Sequence, residues 1–237
     1  MRRKLNIVEI ISAFVLISLI VAIPLVVIIM VMAPSEYTAG LPFKRLKTDY
    51  VLMLLQCILG IIAMLLPKFL RQRTNIRIPA GMMLLYVIFL YCSIYLGEVR
   101  SFYYAIPNWD TILHTFSGLM LGILGFSVIT ILNRTEKVPV NLSPMFVVVF
   151  AFCFAVSLGT IWEFYEFFMD GVFKTNMQKY ALEDGTLLIG RAALLDTMKD
   201  LIVDSIGALV ASIIGYISLK YKKGWVEKFL LKKTEEN

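Results

Sequence analysis

Six continuously apolar stretches, each close to the length needed to cross a bilayer, constrain this chain more than any other feature. They run over about 8–32, 50–67, 79–97, 111–132, 144–168 and 197–219. A helix covers ~30 Å of hydrocarbon with about 20 residues. None of the stretches alternates apolar and polar residues as a barrel strand would, so helix is the form that satisfies its own backbone in lipid. With 59% hydrophobic residues, 17% charged residues and a mean hydropathy of +0.80, the chain lies far from the composition of a soluble domain. The expected fold is all-α, a polytopic membrane helical bundle of about six transmembrane helices whose first partner is the lipid bilayer.

A net charge of +6 invites a nucleic-acid reading, but the positions of the basic residues argue against it. With the amino terminus inside, Lys and Arg number 15 in the inner segments (1–7, 68–77, 133–143, 220–237) and 7 in the outer ones (33–49, 98–110, 169–196). Such a bias orients a multi-pass protein, so both termini are expected in the cytoplasm and the protein in the cell membrane. The first stretch follows Met1-Arg2-Arg3-Lys4 and outruns the 7–15 apolar residues of a signal-peptide core, so it is expected as a retained helix, kinked at Pro24. Cys57, Cys92 and Cys153 lie in three different apolar stretches at no metal-like spacing and are expected as small buried hydrophobes.

Polarity divides the chain. Residues 1–97 hold three accessory helices with almost no interior charge, 98–219 a three-helix core with most of the rest, and 220–237 a basic tail. The tail pattern Tyr221 to Lys233 reads as an amphipathic interfacial helix resting on anionic lipid. Aromatic residues (Phe102, Tyr103, Tyr104 and Trp109; Phe164, Tyr165, Phe167 and Phe168) mark the headgroup level on the outer side. The longest outer loop, 171–195, carries Leu187-Leu188-Ile189 and Ala192 to Leu195, too apolar for a solvated loop. It is expected to dip into the interface or to cover a site as a lid.

Three clusters concentrate the chemistry: Asp110-x3-His114 opening helix four, Glu163-x2-Glu166-x3-Asp170 closing helix five, and Asp196-x3-Asp200-x3-Asp204 opening helix six. At 3.6 residues per turn each set falls on one face, and the topology puts all three at the outer membrane face. Local roles account for some of them. Asp110 and Asp196 suit helix caps, Thr197-x2-Asp200 matches a capping box, Asp170 lies where water reaches a helix end, and Lys199 suits an ion pair with Asp196. Capping does not account for Glu163, Glu166 or Asp204. A charge in the membrane core costs roughly 2.5–3.5 kcal/mol, so these three should face inward to a cation, a proton or one another. His114 is the only histidine, shares a face with Asp110, and belongs to a residue type that ligates metals and titrates near neutrality. Gly118 and Gly207 would let helices approach closely.

Over roughly residues 80–216 the chain resembles the YjdF-type family of bacterial membrane proteins and, more distantly, VanZ-like proteins. The likeness rests on Asp110, His114 and Gly118 as Asp-x3-His-x3-Gly, on Trp162, Glu163 and Glu166, and on Asp196, Thr197, Asp200, Gly207 and Ala208. The family's Gly-Asp-x-Trp-Asp loop is replaced here by Arg191-Ala192-Ala193-Leu194-Leu195, so no substrate contact carries over from it. The resemblance implies no reaction; the association of VanZ-like proteins with glycopeptide resistance points to the cell envelope.

The leading expectation is a divalent-metal site of His114, Glu163, Glu166, Asp200 and Asp204, with Asp110, Asp196 and Asp170 in support. Carboxylates with an imidazole suit Zn, Mn or Fe(II), and an oxygen-only subset suits Mg or Ca. If the site is catalytic, Glu163, Glu166 and His114 carry it, on an envelope or lipid-linked substrate. Two rivals stand beside this reading. One is a proton- or cation-coupled transporter, which the uncharged inner halves 119–132, 146–158 and 208–219 disfavour. The other is a noncatalytic envelope or immunity factor whose acidic core locks helices together.

Overall fold

The computed structural model describes residues 6–36, 45–74, 76–133, 142–182 and 185–233. It contains six helices long and apolar enough to span a membrane: α1 (Ile7–Met32), α2 (Lys47–Arg73), α3 (Ala80–Leu90, continued to Val99 as a π-helical segment), α5 (Trp109–Asn133), α6 (Pro144–Phe173) and α7 (Leu195–Lys220). A short helix, α4 (Phe102–Ala105), lies between the π-helical segment and α5. The protein is a helical polytopic membrane bundle.

The helix ends follow local chemistry. Asn6 and Glu9 form a capping box for α1, which continues through Pro24. Ser143 caps α6, accepting from the Phe146 amide at 3.2 Å, with Pro144 at the first helical position. Two helices outrun their apolar stretches. The second, expected to stop at 67, passes Pro67 and ends at Arg73, where Arg71 and Arg73 suit the negative pole of the helix dipole. The fifth spanning helix, expected to stop at 168, runs to Phe173 before Lys174 adopts a left-handed conformation at φ 56°.

The spanning helices pack as two groups. Val15, Leu19, Cys57, Val87 and Ile94 knit α1, α2 and α3 together; Ile123, Phe126, Ala151 and Ala211 do so for α5, α6 and α7. The α5–α7 crossing is the tightest. A Cβ on Gly118 would land on the main-chain carbonyl of Asp204, and one on Gly207 on that of Thr115. This backbone-to-backbone approach brings His114, one turn before Gly118, against Asp204, one turn before Gly207.

Two expectations fail here. The tail is not an amphipathic helix: Lys222 and Gly224 have positive φ, and Val226, Phe229 and Leu230 fold back under the bundle. There the Leu231 amide donates to Ser127 Oγ at 3.1 Å, and β2 (Lys232–Lys233) pairs antiparallel with β1 (Ile76–Arg77). Residues 234–237 of the expected tail lie outside the described residues. Of the cysteines, only Cys57 is buried. Cys153 lies on the exposed side of α6, where a thiol facing lipid needs no partner.

Candidate functional site

The three acidic clusters meet at one end of the bundle. His114 links α5 to α7: its Nδ1 lies 3.1 Å from Asp204 Oδ2, and its Nε2 lies 3.6 Å from Asp110 Oδ1 and 3.9 Å from Asp200 Oδ2. Ser117 Oγ donates to the other Asp204 oxygen at 2.5 Å, so both oxygens of that carboxylate are occupied. From α6, Glu163 and Glu166 project to the same histidine. One ligand atom each from His114, Glu163 and Glu166 lie within 4.8 Å of one another, and so do atoms from Asp110, His114 and Asp200. His114 belongs to both groups. All of these except Asp110 are buried.

Hydrogen bonding separates the carboxylates by role. Glu166 Oε1 accepts from Trp162 Nε1 at 2.8 Å. Glu163 is 3% exposed, and neither of its oxygens has a hydrogen-bond partner, although Thr197 and Gln178 lie beside it. The Gln178 amide donates to Thr197 Oγ1 at 2.9 Å. Asp200, 1% exposed, has one oxygen with no partner, and its other oxygen only approaches His114. Buried carboxylates in this condition require a cation or a proton, because desolvation otherwise costs several kcal/mol per ion.

Asp110, Asp196 and Asp170 take other parts. The structure assigns neither helix cap: Asp110 lies inside α5, which starts at Trp109, and the residue before α7 is Leu194, with no side-chain cap bond. The Thr197-x2-Asp200 box does not form because α7 starts at Leu195 and Thr197 is already within it. Asp110 and Asp196 instead share Lys179, whose ammonium bonds both carboxylates. Lys179, not Lys199, is the ion-pair partner of Asp196. Asp170 is buried rather than solvated. It accepts from Thr175 Oγ1 at 2.6 Å and from the Met177 and Gln178 amides at 2.7 and 3.0 Å, folding the following loop over the site.

Burial lowers the proton affinity of Lys179, but the carboxylates of Asp110 and Asp196 outweigh it and hold the ammonium above the usual lysine range. A group with a raised folded value stabilises the fold below its unfolded pKa, ~10.4, and loses that contribution only as pH climbs through the folded value. The clamp therefore persists at all neutral and mildly alkaline pH. Lys179→Met strips two carboxylates of their partner; because the lysine side chain is 40% exposed, water screens the pair and the expected cost is about 1 kcal/mol, read as a lower melting temperature that does not recover between pH 6 and 9.

The site opens into a cavity of about 460 Å³ between the two helix groups. Asp110, His114, Glu166, Asp204 and Lys179 line its polar end, with Asn176 and Met177 of the covering loop; Glu163 and Asp200 lie behind that wall. Arg45, Glu98 and Tyr103 also line it; Arg45, Glu98 and Lys179 were not singled out in the sequence, and Tyr103 was read there only as an aromatic marker of the headgroup level. Burial, with Glu98 and Asp110 nearby, pushes the Tyr103 phenol well above its usual value, so it stays a neutral hydroxyl.

These features define a multi-pass helical membrane protein with a buried carboxylate–histidine cluster at the head of an internal cavity. Residues 15–221 match the family described as predicted membrane protein (DUF2238), and the chain belongs to that family. No curated protein and no solved structure matches the chain.

Proposed function

We propose that the protein binds a divalent cation through His114, Glu163, Glu166 and Asp200 and uses it on an envelope or lipid-linked substrate, from the outer face of the cell membrane. The observation that carries this reading is the pair of buried, unpartnered carboxylates, Glu163 and Asp200, converging on one histidine. Asp204 holds the imidazole from the other side through Nδ1, the arrangement that orients a histidine ligand. One imidazole among carboxylates suits Zn, Mn or Fe(II), and a carboxylate-only subset suits Mg. Such a cation would acidify a bound water, and the carboxylates around it would take up the proton.

The excess of basic residues at the opposite end supports the outward orientation, and the VanZ-like motif pattern agrees with envelope chemistry. The exposed Lys222, Lys223 and Lys228 around Trp225 then face the inner leaflet, where anionic headgroups suit them. Transport is the weaker reading, because among the described residues the cavity wall away from its polar end, with Ala63, Tyr86, Met120 and Leu121, carries no charged side chain to pass an ion onward.

The test is the metal content of detergent-purified protein by elemental mass spectrometry, beside His114→Ala/Glu163→Gln. Near-stoichiometric metal that disappears in a folded double variant is the expected result. Metal absent from both, after titration with Zn, Mn and Mg, would sink the proposal.

A further inference from the structure

The loop between α6 and α7 has two parts of opposite chemistry. The first lies over the site: Asp170 accepts from Thr175 Oγ1 and from the Met177 and Gln178 amides, and Lys179 bonds Asp110 and Asp196. The second is aliphatic and exposed. Leu187 is 65% exposed and Ile189 87%, and Leu182, Leu194 and Leu195 are exposed near them in the chain. Aliphatic side chains gathered in this way mark a surface that something apolar covers.

The lipid-facing surface of the bundle runs up to this loop. On α7 the exposed residues Leu195, Met198, Ile202, Ile206 and Leu209 recur every three or four positions, one stripe along the helix. Phe164, Phe167, Phe168 and Val172 are exposed in the same manner at the site end of α6. Leu194 and Leu195 join the loop to the α7 stripe without a break. Lys174 and Arg191, both exposed, flank the aliphatic stretch, as cations do whose stems lie on apolar surface while their heads reach lipid phosphates. Several backbone groups of the loop pair locally, as an apolar setting requires. Ala181 and Leu187 form an antiparallel bridge, and the Leu188 amide donates to the Tyr180 carbonyl at 2.9 Å. The Asn176 side chain accepts from the Ala181 amide at 3.0 Å and donates to its carbonyl at 2.8 Å, tying the aliphatic part to the part over the site.

We propose that this loop seats in the lipid leaflet at the site end, with Leu187 and Ile189 among the upper acyl carbons and Lys174 and Arg191 at the headgroup phosphates, so that the cover over the carboxylate–histidine site is anchored in the bilayer. The seat is shallow, about 5–10 Å into the boundary between headgroups and chains, because Glu183 and Asp184 belong to the same stretch of sequence and a charge costs more the deeper it goes. Asn176 carries the anchoring from the aliphatic part to Met177, Gln178 and Lys179. The inference stands apart from the cation reading: it holds whether or not His114 and its carboxylates take a metal.

The test uses the full chain, one per phosphatidylcholine nanodisc, carrying Ile189→Trp, and reads the emission added over the three native tryptophans. Phosphatidylcholine brominated near the headgroup end of its chains is expected to quench most of the added emission, and lipid brominated near the chain ends much less. Ile206→Trp, about 16 Å along α7 from Leu195, should show the opposite order. With one chain per disc no second copy can cover the loop. An added tryptophan open to aqueous iodide, or closed to iodide and bromolipid alike, therefore overturns the seat. Leu187→Trp repeats the reading should the first variant fold poorly. Anchoring of the cover is read in the same discs by hydrogen exchange over Met177 and Gln178. Ile189→Asp should speed it about tenfold, with Ile189→Ser as the milder variant, because the loop then opens more readily. Exchange equal to wild type in both overturns the anchor.

Discussion

With the proposed divalent cation at a hundredfold excess over its dissociation constant, the purified protein is expected to melt roughly 5–10 °C higher than after chelation, and Glu163→Gln to erase that gain. A ligand that binds only the folded state adds RT ln(1 + [L]/Kd), about 2.7 kcal/mol at that excess, and a chain of this size shifts by about 2–4 °C per kcal/mol. The sign of the Glu163→Gln effect is the sharper part of the expectation. In the chelated protein the wild-type carboxylate is 3% exposed with no partner, beside Glu166, so a neutral amide of the same shape relieves repulsion and desolvation. The variant will therefore be as stable as wild type or more so without metal, and less stable with it. A helix-locking role predicts the opposite pattern, a loss on substitution that is independent of metal. Melts of both proteins with and without chelator, across Zn, Mn and Mg, decide between them.

The extent to which this site was readable in the sequence depends on which interactions are local. The six spans follow from hydropathy, which the bilayer imposes segment by segment. That Asp110 and His114, Glu163 and Glu166, and Asp200 and Asp204 share helix faces follows from the 3.6-residue period, and Gly118 and Gly207 marked the close crossing that joins two of those faces. The partners of those residues were not readable. Lys179 lies in a loop, and its basicity registers in the sequence only as topology; nothing local says that the loop turns back so that one ammonium spans Asp110 and Asp196. Arg45 is likewise counted as a loop cation, and only the fold shows that the segment entering α2 brings it to the cavity wall. The cap reading of Asp196 and Asp200 went wrong because a cap and a site look alike in sequence; α7 starts at Leu195, before Thr197, and Asp196 pairs with Lys179 from the loop. The tail did carry a signal against a helix. Gly224 interrupts the amphipathic pattern, and its φ of 67° is where the chain turns under the bundle. The π-helical turn that carries Glu98 had no such mark, although irregular turns of that kind recur at functional sites.

Gly118→Val will cost more stability than any single ligand substitution and will dismantle the site without touching a ligand. The new Cβ would meet the carbonyl, carbonyl carbon and Cα of Asp204, all main-chain atoms of a packed helix, so no rotamer change can make room. Overpacking against movable side chains costs about 1–3 kcal/mol; against backbone the helices must part, so 3 kcal/mol is a lower figure to expect. Parting α5 from α7 lengthens the 3.1 Å His114–Asp204 contact and the Ser117–Asp204 hydrogen bond together, because Asp204 supplies both the main-chain atoms at the crossing and the carboxylate of the site. Cation retention should therefore fall even in protein that still folds, whereas an effect on stability alone would show that the crossing and the site are independent. Gly171→Ala is the control. A Cβ there meets nothing within 4 Å, and the position is helical, so this change should leave metal content intact and raise stability by about 0.5–1 kcal/mol through lower chain entropy in the unfolded state. Opposite signs from two glycine substitutions in neighbouring helices would locate the constraint at the α5–α7 crossing itself.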